Sequence, residues 1–405
     1  MVLAGDEPIG GRRVTTMDAP LSPLNALSGR AAVDTDRRGS WVPTYRMVTT
    51  RFMELRRRRG LMIALVVVNI GIPTVFLAIR LLLHAVDAKT YGPAGGYDTF
   101  TNIVAGVMYV FGFIIAATLG CTAGSADLTE GMFRHLVVTG RSRLALYLAR
   151  IPAGLAIIVP MVAVGFAVVC MVCVLAAPKV INYNGVSVPA GLSQTGFETW
   201  AGNHTNDVIC QFGYGPKANV NIACRYNPRT GGVIDLNQSL GKSGLPPTPA
   251  QIKSDAIRIA QQDYPAYKLY FLSPPISLMV SSGLWIELEA VIGFIVGLGL
   301  ASLIGQRTVS VILMVVLELI LTPLFSRAHV PHMINVQRGI VGLATAHLEP
   351  SGLPLLFGGD GGGPSGVRTA SLLVPETRTV AVLVIIGWLV VWTGLGAWRM
   401  MTRDA

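Results

Sequence analysis

The chain has 405 residues, 52% hydrophobic and only 13% charged, whereas an ordinary soluble domain carries about 25% charged residues. That balance, with a mean hydropathy of +0.55, excludes a soluble enzyme. A formal net charge of +10 suits a membrane protein whose excess cations gather in cytoplasmic segments; it is a weak sign of nucleic-acid binding, and no nucleic-acid partner is expected.

Residues 1–44 mix Gly, Pro, Ser, Asp and Arg without apolar periodicity and are expected to form a flexible cytoplasmic arm. No apolar region of secretory-signal type occurs within the first thirty residues, so the first membrane segment is expected to direct insertion. From Tyr45 to about residue 60 the pattern changes. Val48, Phe52 and Leu55 share one helical face while Arg46, Thr49 and Arg57 point elsewhere, which predicts an amphipathic helix on the cytoplasmic membrane surface. The run Arg56 to Arg59 reads as a stop against anionic headgroups.

Six stretches carry the roughly 20 apolar residues that a helix needs to cross the hydrocarbon core. They run from Leu61 to His84, Asn102 to Ala123, Ile151 to Ala177, Met279 to Ile304, Thr308 to Phe325 and Val380 to Trp398. Pro152 and Pro160 predict a kink in the third. Placing the N-terminus inside puts thirteen arginines of the short flanking segments in the cytoplasm, against six Arg and Lys in the two shorter outer segments. The positive-inside rule therefore predicts a multi-pass plasma-membrane protein with both termini cytoplasmic.

Pro178 to Leu278 is too long for a connector and is expected to fold as an extracytoplasmic domain. Thr248-Pro249-Ala250-Gln251 is a capping box with proline at the first helical position, and Ile252, Ala256 and Ile259 continue it on one face. The stretch from Val180 to Ile234 reads as loop and strand. Cys210 and Cys224 lie outside the spans and share this segment, where oxidation is permitted, so a disulfide between them is expected. Cys170 and Cys173, spaced i, i+3 in the third span, read as packing residues. The second outer segment, 326–379, is expected to hold a short helix from Met333 to Leu348 and a flexible glycine-rich turn at Gly358 to Pro364.

Chemistry within the chain is hard to find. Gly241-Lys242-Ser243 resembles the end of a Walker A loop, but Leu236 stands where that motif needs its first glycine. Neither a zincin H-E-x-x-H nor a G-x-S-x-G elbow occurs. His84, His204, His329, His332 and His347 fall on the outer side and His135 inside, without the cysteine or carboxylate cluster that a metal centre needs. No metal site, cofactor or catalytic residue is expected.

The informative cytoplasmic element lies between the second and third spans, at 124–143. Asp127 can cap a helix with Glu130 three residues on, Phe133, Leu136 and Val137 give it an apolar edge, and Gly140-Arg141-Ser142-Arg143 forms a basic turn. Glu130-Gly131, the apolar Leu136 to Val138 and the Gly-Arg-Ser-Arg turn leading into the third span resemble the permease subunit of a type-2 ATP-binding-cassette (ABC) transporter. The six-span layout and the amphipathic elbow helix extend the resemblance over most of residues 45–400. It implies an all-α polytopic fold of six transmembrane helices, to which the residues themselves add a mixed extracytoplasmic domain between helices 3 and 4. It implies, too, a transport subunit, an exporter, that is not itself an enzyme. Glu130, Gly131, Phe133, Arg134, Leu136, Val137, Arg141, Ser142 and Arg143 would dock a separate cytoplasmic ATPase subunit, which would hold ATP and Mg. A second permease copy or a related permease would complete the path among membrane lipids. The outer domain of about 100 residues is longer than that family's usual connection, which leaves the substrate open and room for an extracytoplasmic partner.

Intramembrane carboxylates are costly, so Glu287, Glu289 and Glu318 mark a translocation path or a structural polar contact. Glu287 and Glu289, at i, i+2, point in different directions and are expected near the outer interface, paired with a base such as Arg80. Glu318 sits deeper, in a water-lined route or a buried hydrogen bond or ion pair. Two other functions remain open: an embedded enzyme acting on a lipid-linked substrate at the outer face, and a receptor or scaffold whose outer domain binds a ligand.

Overall fold

Six apolar helices set the architecture, because within lipid only a helix satisfies its own backbone polar groups. The computed structural model describes residues 41–87, 91, 94–129, 142–183, 186–205, 249–271, 273–327, 334–350, 353 and 376–402. In chain order the described elements begin with α1 (Tyr45–Arg57), followed by the spans α2 (Arg59–Val86), α3 (Tyr97–Ala126) and α4 (Arg143–Leu175). Next come the strands β1 (Val180–Tyr183) and β2 (Val186–Pro189), then α5 (Gln194–Asn203) and α6 (Pro249–Phe271). The spans α7 (Ile276–Ile304) and α8 (Arg307–Phe325) precede the short helices α9 (Ile334–Arg338) and α10 (Val341–Ala346). The last span is α11 (Arg378–Thr402).

All six apolar stretches form helices, with ends a few residues from those expected. The third differs most: it starts at Arg143 and is interrupted at Ala149. Pro152 has no N–H to offer the Leu148 carbonyl, so the helical ladder breaks just before it, while Pro160 is carried inside the longer segment. Between α7 and α8 the chain reverses in two residues. Gly305, at φ 80°, closes α7 by donating its N–H to the Ala301 carbonyl at 2.8 Å, a left-handed cap that favours glycine.

Spans α3 and α7 form the centre. In their most apolar stretches 67% and 72% of residues are buried, against 22% in α2, α8 and α11. Glycines permit this approach: a Cβ on Gly120 would stand 2.1 Å from the Phe294 carbonyl oxygen, and one on Gly297 would stand 2.7 Å from the Ala117 carbonyl oxygen. Gly120 and Gly124 on α3 meet the backbone of Phe294 and Leu298, while Gly293 and Gly297 on α7 meet Phe113 and Ala117, two small-xxx-small patterns that let the backbones touch. Gly299 packs on the Trp392 backbone of α11 in the same manner.

The expected amphipathic helix forms over Tyr45–Arg57 and lies against α4. Leu55 is buried and Phe52 packs on the core, as the periodicity predicts, but Arg51 is buried as well, held by Glu54 Oε2 at 2.6 Å. At the opposite end β1 and β2 form an antiparallel hairpin, with Val180 opposite Pro189 and Tyr183 opposite Val186. Helix α6 starts at Pro249, where the capping box placed it, and buries Ala256 and Ala260. One expectation needs correction: Gln194–Asn203, read as loop or strand, is a helix. Ser193 caps it by accepting the Gly196 N–H at 3.2 Å, and Phe197 and Ala201 at i, i+4 bury its inner face. Phe197 stacks on Tyr267 of α6 at 4.3 Å, and the Tyr267 hydroxyl donates to the Pro189 carbonyl at 2.6 Å, tying helix pair to hairpin.

Candidate functional site

The second expected outer helix is instead a re-entrant pair. Helices α9 and α10 are separated by Gly339 and Ile340, where the backbone turns extended, and their tip reaches back between the spans. Trp388, well inside α11, donates its indole N–H to the Gly339 carbonyl at 2.7 Å. Gln337 donates to the Phe325 carbonyl at the end of α8. Helix α10 is buried from Val341 to Thr345.

This pair completes a polar cluster at mid-bundle built from α3, α7, α8 and α10. Tyr109 of α3 donates its phenolic hydrogen to Glu318 Oε1 of α8 at 2.5 Å. The Tyr109 ring stacks on Trp285 of α7 with centroids 5.0 Å apart and planes inclined by 2°. Trp285 donates its indole N–H to the Thr345 carbonyl of α10 at 3.0 Å. The Thr345 hydroxyl donates to the Gly342 carbonyl at 3.0 Å and stands beside Glu289, one turn beyond Trp285 on the same face of α7. The Thr322 hydroxyl, bonded to the Leu317 carbonyl at 3.0 Å, stands beside Glu318, and a Cβ on Gly342 would meet Thr322 Oγ1 at 2.8 Å and Glu318 Oε2 at 2.9 Å, so glycine lets α10 come this close.

Backbone irregularity aims these groups. Residues Ile103–Met108, just before Tyr109, and Leu317–Leu321, which contain Glu318, are π-helical. The added residue in each wide turn rotates the following side chains inward; such bulges recur at functional sites. Glu289 and Glu318 are each 1% exposed, and Oε1 of the first and Oε2 of the second accept no hydrogen bond. A carboxylate at such depth needs a proton, a cation or water.

The sequence-predicted acids thus separate. Glu289 and Glu318 share one site, whereas Glu287 is half-buried, away from it, with neither oxygen hydrogen-bonded. The expected interfacial position of Glu289 is therefore corrected: it is buried, beside Thr345 of α10. Arg80, the base expected to pair with these acids, donates to Thr99 Oγ1 at 3.5 Å. Sequence reading missed Tyr109, Trp285 and Thr345, since an aromatic or a threonine in an apolar span carries no signal of its own.

Of the hairpin residues, Glu130, Gly131, Phe133, Arg134, Leu136, Val137 and Arg141 lie outside the described residues, as do Cys210, Cys224, His135, His329 and His332. The roots of that hairpin are described. Ser142 precedes α4, and Arg143 donates to the Met401 carbonyl at the end of α11 at 3.1 Å. Arg150, 2% exposed, donates to the Gly124 carbonyl of α3 at 3.0 Å. His204 ends α5 stacked on Trp200, and His347 Nε2 lies 3.7 Å from Glu376 Oε2. Cys121, Cys170 and Cys173 are free thiols. Among the described residues no group of three or more His, Cys, Asp or Glu is placed to hold a metal ion.

No protein family, curated protein or solved structure matches this chain.

Proposed function

We propose that this chain is the membrane-spanning permease subunit of an ABC transporter, an exporter driven by a separate cytoplasmic ATPase. The observation that carries this reading is the anchoring of the described residues on either side of 130–141. Arg150 ties the start of α4 to the end of α3, Arg143 ties it to the end of α11, and α1 lies alongside α4. A force applied to the hairpin would therefore move three spans together. In this reading α1 is the elbow helix at the cytoplasmic surface, both termini are inside, and the helical hairpin α9–α10 hangs from the outer side.

The buried acids belong to the same reading. Glu289 and Glu318 stand at the junction of α3, α7, α8 and the re-entrant pair, and in this reading they line the translocation path. Gly241-Lys242-Ser243 lacks the first glycine of a Walker A loop, so in this reading the energy comes from the partner. Gentle purification of the tagged chain tests the proposal. A co-isolated polypeptide carrying a Walker A loop, with ATPase activity in the preparation, is expected. Isolation of the chain without nucleotide-hydrolysing company, from membranes that transport normally, would contradict it.

A further inference from the structure

At the end of the bundle that carries β1, β2, α5 and α6, a cavity of about 520 Å³ opens among the first turns of α3, α7 and α11. That volume falls within the ~300–1,000 Å³ typical of small-molecule sites. Lys268, in the last turn of α6, and Arg378, the first residue of α11, both line it. Among the described residues neither cation is in an ion pair, and both side chains are exposed. Among the described residues the one carboxylate in the lining is Glu349, so these residues bring two positive charges against one negative. Ser277, Ser281 and the Tyr97 hydroxyl add neutral hydrogen-bonding groups, while Leu278 and Leu348 supply apolar wall.

Position adds to chemistry. Three spans begin at the cavity, so it lies at the level where a bilayer changes from headgroups to acyl chains. Its wall also leads inward: Ser281, Trp285 and Glu289 follow one another at i, i+4, i+8 along one face of α7, from the cavity to the buried acids. On the floor, Leu348 and Glu349 directly follow α10.

We propose that this cavity binds the phosphate group of an anionic ligand, held between Lys268 and Arg378 with hydroxyls of Ser277 and Ser281 in support. Lysine and arginine supply charge-assisted donors that a phosphate accepts and a zwitterionic choline headgroup offsets. A phospholipid or lipid-linked phosphate enters with its chain along Leu278 and Leu348; a free phosphate ester enters from solvent. The binding requires no ATPase, so it stands apart from the permease proposal.

The test is displacement of acyl-labelled phosphatidylglycerol from the purified full-length chain in detergent, with phosphatidylglycerol, phosphatidylcholine and glycerol phosphate as competitors. Lys268→Ala and Arg378→Ala are each expected to weaken binding about tenfold, the loss of one charge-assisted hydrogen bond. Lys268→Arg, which keeps the charge, should retain it. Displacement by phosphatidylglycerol alone assigns the site to a lipid phosphate, and equal displacement by glycerol phosphate assigns it to a soluble one. Unchanged binding in the Lys268→Ala, Arg378→Ala double variant would overturn the proposal, and so would phosphatidylcholine competing as well as phosphatidylglycerol.

Discussion

Tyr109 and Glu318, 209 residues apart in sequence, meet at 2.5 Å across the bundle, the phenol donating to the carboxyl oxygen. Each stands at a π-helical stretch in an otherwise α-helical span. Tyr109→Phe removes the phenolic donor to Glu318 Oε1 and should cost about 1–2 kcal/mol, read as a lower midpoint of thermal unfolding in detergent. Glu318→Gln keeps an acceptor for Tyr109, so stability should hold while transport changes. Normal transport by Glu318→Gln would make the contact purely structural.

Close packing of α3 on α7 makes a second prediction. Gly120→Ala puts a methyl 2.1 Å from a backbone carbonyl and must push the helices apart, at a cost of about 1–3 kcal/mol. Gly387→Ala, in α11, meets nothing within 4 Å and should be neutral or stabilising by up to about 1 kcal/mol. Thermal unfolding of the two variants side by side separates these outcomes; equal effects would contradict the role given to the glycine contacts.

Local signals made the spans legible. About 20 apolar residues in a row have one stable solution in lipid, and the proline suited to a first helical position marks the start of α6 at Pro249 for an equally local reason. Pairing between distant residues left no such trace. Gly120 and Gly124 display the spacing of a close-packed helix face, but the backbone they meet, at Phe294 and Leu298, is known only from the fold. Glu289 and Glu287 look equivalent in sequence, and the rotation of α7 alone buries the first. The helical hairpin α9–α10 was read as a peripheral helix because Gly339 and Ile340 do not announce that the chain turns back between the spans.

The two tryptophans that hold this pair make a third prediction. Trp388→Phe keeps the ring but frees the Gly339 carbonyl. Loss of one hydrogen bond of about 1 kcal/mol should raise local opening about fivefold. Hydrogen exchange over residues 334–348 is expected to accelerate while that of α3 and α7 is unchanged. Uniform acceleration would instead mean global destabilisation, and no change would mean that Trp388 does not anchor the hairpin.

Cys210 and Cys224 are expected to form a disulfide on the outer side. The closed loop of about 15 residues corresponds to about 3 kcal/mol in the chain-entropy model. Non-reducing peptide mapping after rapid alkylation should recover the two peptides joined. Recovery of both as alkylated free thiols would refute the pairing and weaken the assignment of that segment to an oxidising compartment.

The central claim is that the hairpin between α3 and α4 transmits ATP-driven motion from a partner subunit. Its apolar edge, Phe133 with Leu136 and Val137, would fill a groove on the ATPase, while Glu130, Arg134, Arg141 and Arg143 orient it at the rim. Truncating a buried aromatic anchor typically costs about 2 kcal/mol or more. The most direct measurement is the ATPase activity retained by the gently purified Phe133→Ala chain, compared with the unmodified chain at equal membrane insertion. The account predicts loss of the bound ATPase, or hydrolysis that no longer drives transport, and a larger loss than Glu130→Ala causes. Full retention of both co-purification and transport by Phe133→Ala would contradict it and leave the hairpin a passive connector.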